Sequence, residues 1–132
     1  MLSYFVKKIS KIDHIKDLYK KNYNELKRTD NFWAKIIEYF NIKYTVKSIE
    51  NIPNEGPVII VCNHPFGLLD GLIIASIIAK IRKDYKILIN EEITQIDLIE
   101  KYLLPIKFSG ITGDIKQNIR SKKSAINLIN DG

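Results

Sequence analysis

The chain has 132 residues, enough for one domain with a real core and too few for two. Hydrophobic residues make up 45% of it, which excludes a chain disordered by composition, and 21 Lys/Arg against 15 Asp/Glu leave a net charge of +6. The charge is unevenly spread: residues 1–47 hold 11 basic and five acidic groups, a net of +6, while residues 48–132 hold ten of each.

In chain order, the basic N-terminal third has a helical pattern. Tyr4, Phe5, Ile9, Ile12, Ile15, Leu18 and Tyr19 recur at three- and four-residue steps among Lys7, Lys8, Lys11, Lys16, Lys20 and Lys21. Thr29 or Asp30 is placed to cap a second helix carrying Phe32, Trp33, Ile36, Ile37, Tyr39 and Phe40. Basic amphipathic helices rich in aromatics suit an anionic membrane surface; the same pattern equally suits helices that pack on a sheet and keep their lysines in water. Residues 1–44 are therefore expected to form a basic helical region, and residues 45–132 an α/β domain.

Thr45 to Ile49 is expected as a short lead-in strand. Val58 to Cys62 follows the turn-forming residues Pro53-Asn54-Glu55-Gly56-Pro57 and reads as a buried strand, because the run is short and punctuated on both sides. In that strand the lone Cys62 reads as a small buried hydrophobe, and a single cysteine excludes an intrachain disulfide. Leu72 to Ala79 predicts a helix buried on most faces and ending near Ile81. Beyond it the pattern gives a strand over Lys86 to Ile89, a helix over Glu92 to Tyr102, a strand over Leu104 to Phe108, a loop over residues 110–114 and a last helix over Ile115 to Ile129. The fold class expected is α/β, N-terminal helices followed by a partly parallel sheet with flanking helices.

No apolar stretch approaches the roughly 20 residues needed to span a bilayer, and the N-terminus lacks the apolar core and cleavage site of a signal peptide. Nucleic acid is not expected as a partner: zinc-finger spacing, a P-loop and a basic reading helix are all missing.

Chemistry concentrates between the strand at Val58 and the helix at Leu72. Asn63-His64 ends the apolar run, Pro65-Phe66-Gly67 makes a turn, and Asp70 precedes the next apolar segment. On a continuous helix His64 and Asp70 would lie about 240° apart, so only the turn brings them together. Proline fixes φ there, and glycine opens backbone angles closed to other residues. An imidazole whose Nδ1–H is held by a carboxylate has Nε2 free to take a proton, the base-plus-orienter arrangement of acyl transfer. The same residues admit a structural reading: Asp70 favourable in the first turn of a helix, His64 bonded to backbone. The other histidine, His14, lies in a charged amphipathic stretch and reads as solvated.

The string NHPFGLLDG, residues 63–71, resembles the first sequence block of the glycerolipid acyltransferases, the His-Asp family that includes lysophospholipid and glycerol-3-phosphate acyltransferases. Within it the chain is most similar to the bacterial hemolysin-like or ornithine-lipid subgroup, which shares its one extra residue between His and Asp. Ile52-Pro53-Asn54-Glu55-Gly56-Pro57 also resembles the family's IP-x-x-GP lead-in. The resemblance implies His64 as general base and Asp70 as its orienter, with Asn63, Pro65, Phe66 and Gly67 beside the substrate. It also implies Lys107 near the acceptor, in place of the arginine that family enzymes often carry there. The implied reaction moves a fatty acyl group from acyl-CoA or an acylated carrier protein to a lysolipid hydroxyl, without cofactor or metal, in the cytoplasm at the inner face of the membrane. The family's later Pro-Glu-Gly block has no match, and Asn118 to Gly132 resembles what precedes it, so the chain reads as a fragment or natural truncation. The rival expectation is an inactive remnant serving at most as a membrane-surface module.

Overall fold

The structure, a computed structural model, describes residues 12–91, 95–107 and 113–130. The chain divides into two compact units, Met1–Ile52 with Val61–Lys83 and Pro53–Ile60 with Asp84–Gly132.

The first unit is helical: α1 spans Ile12–Lys21, α2 Tyr23–Leu26, α3 Phe32–Tyr39 and α4 Leu68–Ile81. Of the positions expected on the first helix, Tyr4, Phe5 and Ile9 lie outside the described residues. Ile15 and Tyr19 are buried, whereas Lys20 and Lys21 stay exposed and His14 is half-buried rather than solvated. The cap of α3 is neither Thr29 nor Asp30 but Asn31, in extended conformation with its Oδ1 accepting from Ala34 N at 3.0 Å. A long-range bond decides the matter, because Asn31 Nδ2 also donates to Ser76 O at 2.9 Å and so ties the start of α3 to α4.

Between α3 and α4 large side chains meet small ones. Trp33, Ile36 and Ile37 are buried on α3, and Leu72, Ala75, Ser76 and Ala79 form a buried stripe at the i, i+3, i+4, i+7 spacing of one helix face. The buried Ser76 hydroxyl donates to Ile73 O at 2.9 Å and shares a 2.9 Å hydrogen bond with the Tyr44 hydroxyl, so this polar atom is satisfied inside the packing. Lys35 adds an exposed ion-pair cluster, 2.8 Å from Glu25 and 3.0 Å from Glu38. Its hydrogen bond, then that of Tyr39, holds the Glu25 carboxyl below its ordinary range.

The second unit holds two parallel strands, β1 (Ile87–Asn90) and β2 (Leu103–Ile106), in the register Ile87 to Leu103 through Asn90 to Ile106. The short helix α5 (Asp97–Glu100) lies in the crossover that parallel pairing requires. The helix expected over Glu92 to Tyr102 thus shrinks to one turn, with residues 92–94 outside the described part. Phe108 and residues 110–112 of the expected loop are likewise outside it. The last helix, α6 (Gly113–Asn130), packs on β2.

Two expected strands are absent from the described residues. At Thr45 to Ile49, Ser48 adopts a left-handed conformation (φ 56°) and Ile49–Asn51 closes a 3-10 turn, which breaks any extended pairing. Val58 to Cys62 forms no strand either. Exposure alternates along it, 36, 70, 41 and 86% from Val58 to Val61, the period of an extended chain, but the sheet pairs β1 only with β2. Without a ladder to satisfy its backbone, an apolar run is not a strand, and Cys62 is exposed rather than buried. The observed class is therefore mixed α/β, helix-rich, with a small parallel sheet. Among the described residues no helix is long and apolar enough to cross a membrane.

Two substitutions test the helical unit. Ile36→Ala, at a side chain with no exposure, is expected to lower unfolding free energy by about 2–5 kcal/mol in a denaturant titration. Asn31→Ala is expected to cost about 1–2 kcal/mol, because one side chain supplies both the cap and the tether to Ser76.

Candidate active site

The turn before α4 is built by glycine and by one carboxylate. Gly67 has φ 59° and ψ −127°, a conformation that L side chains rarely adopt, and no atom would meet a Cβ placed there. Backbone angle rather than space therefore demands the glycine. Gly67 N donates to His64 O at 3.4 Å and Asp70 N to Gly67 O at 3.1 Å, which closes the chain into the first turn of α4.

Asp70 then reaches back over that turn. Its Oδ2 accepts from Phe66 N at 2.7 Å, and the same oxygen lies 3.5 Å from His64 Nδ1. The second distance is a contact rather than a formed hydrogen bond, and such bonds often tighten only when substrate arrives. The carboxylate is largely enclosed, 16% exposed, while the imidazole is 58% exposed. One edge of the ring thus faces a fixed acceptor and the rest faces solvent. The structural and chemical readings of Asp70 meet on one oxygen: it stabilises the helix start, in the manner of a capping box shifted by one residue, and it sits where it can orient an imidazole.

Of the residues singled out from the sequence, Asn63, His64, Pro65, Phe66, Gly67 and Asp70 all belong to the first unit. Asn63, Pro65 and Phe66 are exposed. Gly71 lies beneath the ring, where an added Cβ would sit 3.9 Å from His64 Cε1, an ordinary contact. Lys107 belongs to the second unit, its ammonium 3.1 Å from Glu91 Oε1. Its backbone is clamped by Asn118, which accepts from Lys107 N at 2.9 Å and donates to Lys107 O at 2.8 Å.

The resemblance places Phe66 beside the substrate, whereas in the structure its amide is the group that fixes Asp70. An acid in the first turn of a helix that begins at a glycine is the one sequence feature that bears on such a bond. Among the described residues no group of His, Cys, Asp and Glu side chains is arranged to hold a metal ion.

Comparison with known proteins bears on this arrangement. A family model described as Acyltransferase matches residues 43–131, which includes the whole turn and both its catalytic candidates. A lyso-glycine lipid O-acyltransferase from Phocaeicola vulgatus is 27% identical over 81 residues. The match covers 61% of this chain but 29% of the relative, so the chain spans less than a third of the length of the curated protein it matches. No solved structure matches the chain.

Asp70→Ala removes both contacts of Oδ2, and nitrogen-15 spectra of the imidazole report the result. The wild type is expected to hold the proton on His64 Nδ1, and the variant to lose that preference. The lost bond to Phe66 N is expected to lower stability by about 1 kcal/mol.

Proposed function

The chain belongs to the acyltransferase family, and on that premise we propose that it transfers a fatty acyl group to the hydroxyl of a lysolipid acceptor, with His64 as general base and Asp70 as its orienter. The observation that carries the proposal is the single oxygen of Asp70, fixed by Phe66 N at 2.7 Å and 3.5 Å from His64 Nδ1. A carboxylate held by backbone keeps its direction, so the imidazole that turns toward it presents Nε2 outward as the proton acceptor. The name of the Phocaeicola vulgatus relative, an O-acyltransferase of a lyso-glycine lipid, supports a lysolipid hydroxyl as nucleophile.

The step needs no covalent acyl-enzyme. His64 Nε2 removes the hydroxyl proton while the acceptor oxygen attacks the thioester carbonyl of acyl-CoA or an acylated carrier protein. The new ester C–O bond forms, the C–S bond breaks, and His64 returns the proton to the departing thiolate. Backbone N–H groups in the first turn of α4 lie ahead of its hydrogen-bonded ladder and suit the developing oxyanion. The reaction takes place at the inner face of a membrane, where the exposed Lys20 and Lys21 of α1 meet anionic head groups. The proposal gives Lys107 no step of its own.

The test is transfer of a labelled long-chain acyl group from acyl-CoA to a mixed lysolipid pool, by the wild-type chain and by His64→Ala. The variant is expected to lose roughly a hundredfold to ten-thousandfold in rate. Its stability is expected to stay within about 0.5 kcal/mol, because the ring is mostly exposed. Equal transfer by both proteins, counted per folded molecule, or none by the wild type, overturns the proposal.

A further inference from the structure

Helix α6 has its polarity turned inside out. The side chains it sets against β2 are polar: Ser121 is buried with its Oγ donating to Pro105 O at 2.6 Å, and Asn118 clamps the backbone of Lys107. Three of its four isoleucines are exposed, Ile115 56%, Ile119 47% and Ile126 45%, while Ile129 is half-buried. At about 100° per residue these three fall within roughly 40° of one another around the axis, so they form one stripe rather than scattered surface residues. Leu128, also exposed, lies off that stripe.

Charge surrounds the stripe. Lys122 lies just to one side of it, and Lys123, Lys116 and Arg120 follow on the other, all four exposed. Over Gly113–Asn130 the sequence has no acidic residue except Asp114. Long basic side chains that flank an apolar stripe place their stems beside it and their charges above it, the pattern of a helix lying in a membrane interface. The described part of the N-terminal helices offers no comparable apolar face, since Ile15, Tyr19, Phe32, Trp33, Ile36 and Ile37 are buried.

We propose that α6 is a docking surface for an anionic lipid bilayer, its Ile115, Ile119 and Ile126 stripe entering the interface and its basic flanks meeting the head groups. The choice of a lipid partner rests on the acyl-transfer reading. The geometry of the stripe and its charges does not.

The experiment is cosedimentation of the full chain with vesicles of equal parts phosphatidylglycerol and phosphatidylcholine, with pure phosphatidylcholine vesicles for comparison. The wild type is expected to bind the anionic vesicles more tightly. The double variant Ile119→Asp and Ile126→Asp, and separately Lys122→Glu with Lys123→Glu, are expected to weaken that binding about tenfold or more with the helical circular dichroism retained. His64→Ala is expected to bind like the wild type, which separates failure of this inference from failure of the catalytic one. A second measurement does not depend on acidic variants folding: Ile119→Cys in a Cys62→Ser background, labelled with a polarity-sensitive fluorophore, is expected to shift its emission to the blue on anionic vesicles. Unchanged vesicle binding by the variants, no emission shift, or a change in oligomeric state with vesicle binding intact overturns the proposal.

Discussion

The hydrogen bond from Phe66 N to Asp70 Oδ2 is the constraint on which the local chemistry depends. A carboxylate on a helix has several rotamers, and an exposed one would sample them. Here one oxygen is held at 2.7 Å by a backbone donor only four residues upstream, so the carboxylate loses that hydrogen bond if it swings outward. Six residues separate His64 from Asp70 in sequence, and the pinned oxygen is what makes their proximity a property of the turn.

That turn is only as rigid as the helix behind it. Asp70 lies in the first turn of α4, and the next turns carry the buried Leu72, Ala75, Ser76 and Ala79, the last three small enough to let α3 approach closely. Two polar ties add direction to this packing: Asn31 Nδ2 to Ser76 O, and the Tyr44 hydroxyl to Ser76 Oγ. Interdigitated packing sets how closely α3 and α4 approach. The two hydrogen bonds are directional, because each has one partner at one height on α4. Ties remote from His64 thereby help hold α4, and Asp70 with it, against α3.

What was legible in the sequence followed from local rules. The turn at Pro65 to Gly67, the meeting of His64 with Asp70, the strand beginning near Ile87 and the long last helix could be read because glycine, proline and hydrophobic period act over a few residues. Boundaries set by distant partners were not legible. Asn31 caps α3 rather than Thr29 or Asp30 because its amide also finds Ser76, 45 positions away. Val58 to Cys62 has the composition of a strand and, among the described residues, no ladder to make it one, a fact that no property of those residues reveals. The site divided the same way: side chains with chemistry were visible, whereas the amide of Phe66 was not, because every residue has one.

The two amphipathic regions show why a hydrophobic pattern has to be followed to its destination. Both the N-terminal helices and α6 carry apolar residues at helical spacing among lysines, and in sequence the first region is the more suggestive, with its aromatics and its share of the charge. In the structure Tyr19, Phe32 and Trp33 form a buried cluster, the first two tilted with ring centroids 6.4 Å apart and the last two edge to face at 5.4 Å. That face is already committed to the core. On α6 the hydrogen bonds of Ser121 and Asn118 to Pro105 and Lys107 tie the helix to β2, while Ile115, Ile119 and Ile126 stay exposed. Those polar anchors free the apolar stripe, and because four basic residues flank it, the surface it leaves suits a negatively charged, apolar-cored phase better than a neutral protein groove.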